Sequence, residues 1–176
     1  MEGKGRKIKA YLAGSKVTSN ASEAFSLNSQ SSLGDRIENK IHYSFVETLY
    51  LMKKNKISLY KEDKKISAEK FMKLAEKKEH NFFARYTAYA DLKNRGYTVK
   101  TALKFGADFR VYDKGKKPGE EHARWIVFAV YETDKMTWYE FAAKNRVAHS
   151  TKKNLLLAIV DAEGDLTYYE CQWLRP

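Results

Sequence analysis

The chain has 176 residues, of which 43% are hydrophobic and 14% aromatic, and its formal charge of +11 at pH 7 points to a polyanionic partner, because neutralising phosphates releases condensed counterions. The lone Cys171 excludes an internal disulfide framework or a Cys-based zinc site, and His42, His80, His122 and His149 show no metal-ligand spacing, so neither metal nor cofactor is expected. The N-terminal MEGKGRKIKAYLAG lacks the apolar run of a signal peptide and no 18 consecutive residues are apolar, so a cytoplasmic protein is expected.

In chain order, residues 7–18 (KIKAYLAGSKVT) read as a strand and turn around Gly14, and 20–34, rich in Ser, Asn and Gln, as a loop with short structured pieces. Ser44 followed by Glu47 is a capping box, and Val46, Leu49, Tyr50 and Lys53 continue at helical spacing to about Lys54. A short strand, Ile57 to Tyr60, and a charged turn follow. Ser67 is then the N-cap of an amphipathic helix carrying Phe71, Leu74 and Ala75, whose dense Lys and Glu read as a solvated face. Apolar periodicity lapses at KKEHN, residues 77–81, which predicts a small N-terminal α/β domain over 1–80 and a second domain over 81–176.

The second half opens with a helix from Phe82 to Asn94, ended by Gly96, and a strand from Tyr97 to Lys100. In the strand Ala107 to Tyr112, alternation puts Ala107, Phe109 and Val111 on one face and Asp108, Arg110 and Tyr112 on the other. DKGKKPGEE is a surface loop, and Ala123 to Tyr131 is apolar enough for a strand covered on both faces. Trp138 to Ala148 reads as a helix with Trp138, Phe141 and Ala142 inward. Leu155 to Val160, a turn at Ala162 to Gly164, and Leu166 to Trp173 form a closing hairpin. Interleaved strands and helices predict an α+β or mixed α/β chain.

Three polar residues stand at strand edges here: Tyr112, His122 and Lys153. Each alone is more simply a core tyrosine, a loop histidine or a solvated lysine. Together a phenol, an imidazole and an ammonium have the complementarity for cleaving a phosphodiester through its neighbouring 2′-hydroxyl. That reaction needs a base, an acid at the leaving 5′-oxygen and a cation for the developing charge.

FGADFRVYD, the loop ending in Glu121-His122, and RVAHS with the two lysines before an apolar strand and DAEGD resemble the archaeal tRNA-splicing endonuclease family. The resemblance is dense from Tyr89 onward and looser in the first half, where SFVETLYLMKKNKI and ISAEKFMKL follow the order of that family's N-terminal domain. It implies a C-terminal mixed-sheet nuclease domain of restriction-endonuclease-like type. It implies a substrate, precursor tRNA folded as a bulge–helix–bulge and cut without metal to leave 2′,3′-cyclic phosphate and 5′-hydroxyl ends. It assigns Tyr112 as general base, His122 as general acid and Lys153, the closer match of the adjacent Lys152 and Lys153, as stabiliser of the pentavalent phosphate. A free phenol of pKa about 10 is ionised only about one part in a thousand at pH 7. Tyr112 therefore either acts as base with help from cations such as Arg110, Lys114 and Lys116, or orients the 2′-hydroxyl.

The resemblance further places Arg146 as a grip on a bulge base, with Trp173 as the candidate second stacking platform. Asp161, Glu163 and Asp165, by themselves a soluble turn with Gly164 at its tip, become an acidic loop that docks on another subunit of a homotetramer or heterotetramer. Two other readings compete. One is a non-catalytic RNA-binding subunit; the other is a divalent-metal nuclease using Asp108 and Glu121.

Overall fold

Ile8, Ala10 and Leu12 are buried while Lys9, Tyr11 and Ala13 are exposed, and this alternation makes Ile8–Ala13 the half-buried strand β1. Gly14, at φ +61°, turns the chain into β2 (Lys16–Ser19). These are features of a computed structural model that describes residues 7–174 and 176. The chain divides after His80 into two compact units, each with its own mixed sheet and helices, an α+β architecture.

In the first unit α1 (Ser22–Ser31), β3 (Asp35–Ile37), β4 (Lys40–Tyr43), α2 (Phe45–Lys53), β5 (Ile57–Lys61), β6 (Lys64–Ile66) and α3 (Ala68–Lys78) follow β2. The sheet order is β3-β4-β2-β1-β5-β6, with only β1 and β5 parallel. The capping box at Ser44 is present, and Ser67 caps α3 through the Lys70 N–H. Phe45 and Phe71 join α2 to α3 in a T-shaped contact at 5.3 Å.

Helix α1 corrects the expectation of a loop over residues 20–34. Its Ser and Asn favour caps and turns, and only Ala24 is fully buried, so no apolar stripe announces it. Hydrogen bonds to the segment just beyond its C-terminus hold it instead. The Asn28 side chain donates to the carbonyls of Leu33 (3.0 Å) and Gly34 (2.8 Å), fastening the helix end to the next segment.

In the second unit α4 (Phe82–Asn94), β7 (Thr98–Thr101), a 3₁₀ turn at Leu103–Phe105, β8 (Phe109–Tyr112), β9 (Trp125–Tyr131), α5 (Trp138–Ser150), β10 (Asn154–Val160) and β11 (Leu166–Cys171) form a sheet ordered β7-β8-β9-β10-β11. Only β9 and β10 are parallel, and α5 is the crossover that parallel pairing requires. Tyr89 of α4 packs on Phe109, so α4 covers the face that carries Phe109, Val111 and Trp125. The opposite face carries Ile126, Phe128 and Leu155, which cluster with Ala148 and, at its margin, Phe141 and Val147 of α5. Central β9 is therefore buried on both sides, as its composition predicts.

Trp138 does not point inward. It is 85% exposed at the first position of α5, inside the Thr137–Glu140 capping box, while Phe141 reaches the margin of the core and Ala142 is only half-buried. Among the described residues no helix is long and apolar enough to cross a membrane.

Candidate active site

The ladder of the second sheet runs just past its strands at one rim. The Arg124 N–H donates to the Val111 carbonyl (2.8 Å) and the Asn154 N–H to the Arg124 carbonyl (3.1 Å). Tyr112 ends β8 at this rim, and Lys153 immediately precedes β10. Since β9 alone lies between them, the two backbones are roughly 10 Å apart, at about 4.8 Å per strand spacing. His122 is two residues upstream of Arg124, and two residues reach at most about 7 Å. The topology therefore brings Tyr112, His122 and Lys153 to one end of one sheet, from segments that stand ten and thirty-one positions apart in sequence.

The three differ in exposure. Tyr112 is 4% exposed, His122 is exposed on its loop, and Lys153 is half-buried. The adjacent lysines also part company. Lys152 adopts φ +57° in the turn after α5 and is exposed, which lets Lys153 turn to the rim, where its Nζ donates to the Thr151 carbonyl at 2.6 Å. Burial, followed by the nearby charge of Arg110, pulls the Lys153 ammonium below the ordinary lysine value.

The carboxylates around the rim are already engaged. Asp113 faces Arg124 at 3.5 Å, and Glu121 pairs with Lys116. Glu170 accepts from the Trp125 indole (3.0 Å) and the Asn154 amide (2.5 Å); burial works against its charge, yet these hydrogen bonds and Arg124 bring its carboxyl below the ordinary value. Asp108 pairs with Arg85 at 2.8 Å and accepts the Ala129 N–H at 2.9 Å. Asp108 and Glu121, the carboxylates of the metal-nuclease reading, thus stand in separate ion pairs. Among the described residues no three His, Cys, Asp or Glu side chains gather where one cation would sit.

A concavity lies along α5. It measures about 610 Å³ and is lined by Phe141, Ala142, Asn145, Arg146, His149 and Trp173, with Ser150 at its edge. The structure brings Arg146 and Trp173 to the walls of this one groove. The Trp173 indole, 52% exposed, meets the His149 ring in a T-shaped contact with centroids 4.2 Å apart. Sequence reasoning missed His149 and Asn145. The spacing 142, 145, 146, 149 is one helical stripe, and that stripe is the signal that would have found them.

The acidic hairpin tip is a closed turn. The Asp161 N–H donates to the Asp165 carbonyl (3.1 Å), the Asp165 N–H to Asp161 Oδ1 (2.8 Å), and the Ala162 N–H to Glu132 Oε1 (3.1 Å). Gly164 takes φ +88°, and Glu163 and Asp165 are exposed.

Comparison with known proteins agrees across both units. Residues 82–168 match the family described as tRNA intron endonuclease, catalytic C-terminal domain, and residues 8–72 match tRNA intron endonuclease, N-terminal domain. The chain is 45% identical over 137 residues to a tRNA-splicing endonuclease of Nanoarchaeum equitans, covering 74% of this chain and 88% of that one. It is 39% identical over 166 residues to the one of Thermococcus kodakarensis, covering 94% and 97% of the two chains. With that of Methanothermobacter thermautotrophicus it shares 38% identity over 171 residues, 97% of this chain and 99% of the relative.

Proposed function

Since the chain belongs to the tRNA intron endonuclease family, we propose that it excises introns from precursor tRNA by cutting bulge–helix–bulge RNA, leaving 2′,3′-cyclic phosphate and 5′-hydroxyl ends without a metal. The observation that carries this reading is the meeting of Tyr112, His122 and Lys153 at one rim of the second sheet. Tyr112 takes the proton of the 2′-hydroxyl, or holds that hydroxyl in line, as its oxygen bonds to phosphorus. The bond from phosphorus to the 5′-oxygen breaks, and His122 supplies the proton that the leaving oxygen needs. The Lys153 ammonium, held by the Thr151 carbonyl, faces the charge that builds on the pentavalent phosphate.

In this reading the second unit, residues 81–176, is the nuclease and the first, residues 1–80, its structural companion. Arg146 and Trp173 receive a bulged base between a guanidinium and an indole, which suits RNA whose unpaired bases are splayed from the helix. Asp161, Glu163 and Asp165 present acid at a hairpin tip of a chain of charge +11 and dock on a second subunit, building a tetramer whose symmetry sets the distance between two cuts.

The test is cleavage of a bulge–helix–bulge RNA by the purified chain in EDTA, with His122→Ala alongside. Products bearing cyclic phosphate, lost in the variant, are expected. Unchanged cleavage by His122→Ala sinks the catalytic assignment, and activity abolished by EDTA revives a metal mechanism. Solution mass reports the assembly: a monomer or an inactive dimer sinks the homotetramer.

A further inference from the structure

We propose that Arg110 is a second phosphate-gripping cation of the site, sharing the substrate's anion with Lys153. The proposal rests on the cleavage reading above and adds a residue to it. Arg110 lies on β8 two positions before Tyr112, so alternation turns both toward the face that α5 covers. Its guanidinium sits 5.7 Å from the centroid of the Phe105 ring, and its Nε is buried with no hydrogen-bond partner among the described residues. A guanidinium is a planar fork matched to phosphate oxygens, and a partly buried one without an anion is costly.

The surroundings are rich in basic groups. Lys100 stands directly opposite Arg110 across the β7–β8 ladder, which places a second basic side chain on the same face. Burial, and after it the nearby charge of Arg110, lowers the hold of Lys153 on its proton. The nearby carboxylates do not relieve this: at the rim Asp113, Glu121 and Glu170 are taken by Arg124, Lys116, and Trp125 with Asn154, and Asp108, at the far end of β8, is taken by Arg85. Two cations that share no carboxylate among the described residues, beside a tyrosine at a sheet rim, form a site suited to an incoming anion. The scissile phosphate is the anion this chemistry would hold there. Lys153, tied to a backbone carbonyl, meets it as a point charge, while Arg110 fixes its orientation.

The experiment compares wild type, Arg110→Met and Lys153→Met in single-turnover cleavage of bulge–helix–bulge RNA. It is paired with salt-dependent binding of an RNA made uncleavable by a 2′-deoxy substitution. Arg110→Met keeps the packing on Phe105 and removes the charge. It should cleave about 10²-fold more slowly, the usual effect of removing one electrostatic partner. Its binding should lose about 0.7 from the slope of log affinity against log salt, as one phosphate contact would. Cleavage at the wild-type rate overturns the proposal, and so does slowed cleavage with an unchanged salt slope. Wild type that leaves the RNA intact defeats the parent reading instead; cleavage lost in Lys153→Met but kept in Arg110→Met defeats this inference alone. Should Arg110→Met not fold, the wild-type Arg110 Nε–H resonance decides: it should shift as uncleavable RNA is added, and no shift at saturation overturns the proposal.

Discussion

Arg85 Nε stands 2.8 Å from Oδ1 of Asp108, with the two side chains only 10% and 20% exposed. This pair fastens α4 to the segment entering β8, the strand that ends in Tyr112. Burial raises the Asp108 pKa above the ordinary carboxylate value, opposed by the Ala129 N–H and then by Arg85 and Lys144. Removing Arg85 leaves the carboxylate buried with less compensation. Arg85→Met should therefore lower stability by about 3 kcal/mol near neutral pH, the low end for breaking a buried pair, because Asp108 is a fifth exposed. Between its ordinary and folded pKa, Asp108 binds more protons in the native chain than in the unfolded one, so stability falls as pH rises through that window. The variant widens the window upward. Urea unfolding at several pH values should show the deficit growing from acid to neutral pH; a deficit independent of pH would contradict this account.

The lowered pKa of Lys153 makes a prediction for activity. Its ammonium must be charged to face the phosphate, and burial, then Arg110, moves its deprotonation below the ordinary lysine value of 10.5. At subsaturating RNA, where the rate reports the free enzyme, cleavage should accordingly fall on the alkaline side with a midpoint below 10.5. In Arg110→Met the repulsion is gone and the limb should move upward, though not fully to the ordinary value, because burial is the larger cause. Rapid-quench cleavage across alkaline pH checks both statements. For folding the sign is opposite to that of Asp108: the unfolded chain binds more protons here, so this group's contribution to stability rises with pH across its window.

Gly34 offers a test in the first unit. It takes φ +72°, and a Cβ there would fall 2.5 Å from Ile41 Cγ2 and 2.9 Å from the Tyr43 ring. Both neighbours are buried, and the Gly34 N–H donates to buried Glu47 at 2.9 Å. Glu47 in turn accepts the N–H and hydroxyl of Ser44, so strain at Gly34 reaches the α2 cap. Gly34→Ala combines a disfavoured backbone with overpacking and should cost about 2–4 kcal/mol. The drop in thermal midpoint measures it, and Gly14→Ala, positive in φ but in open space, should cost much less.

How much could be read in advance depended on whether a signal was local. The boxes at Ser44 and Thr137, the double-sided burial of β9 and the end of α4 at Gly96 follow from residues a few positions apart, and the first, third and fourth were legible. Helix α1 was not, although its Asn28 amide bridge to Leu33 and Gly34 is local too, because it has no apolar stripe and such a bridge has no capping or turn signature to read. The short edge strands β3 and β6 were passed over because three largely exposed residues carry no alternation to detect; β4, an inner strand in which Ile41 and Tyr43 are buried in alternation, was passed over because four residues are too short a run. Trp138 was misplaced for a related reason: periodicity gives a helix face but not where along the helix the sheet begins. At the rim, residue types and the family resemblance singled out Tyr112, His122 and Lys153. That the acids around them are bound elsewhere, leaving Arg110 without one, depends on partners far apart in sequence and needed the folded chain.

The α5 groove yields the last prediction. Arg146 and Trp173 line it together, and the His149 ring meets the indole in a T-shaped contact with centroids 4.2 Å apart. A base entering between guanidinium and indole would stack without regard to its identity, since every base has a π face. Trp173→Ala should weaken binding of an uncleavable bulge–helix–bulge RNA by about 1–3 kcal/mol, the contribution of one stacked base. With Trp173 52% exposed, the thermal midpoint should hardly move. His149→Ala, which removes this contact but keeps the indole, should show a smaller loss. Fluorescence anisotropy with bulged RNA and with a fully paired duplex of the same length separates stacking from charge: the defect should appear on the bulged RNA and vanish on the duplex. Equal loss on both would make Trp173 a general support of the surface and remove it from bulge recognition.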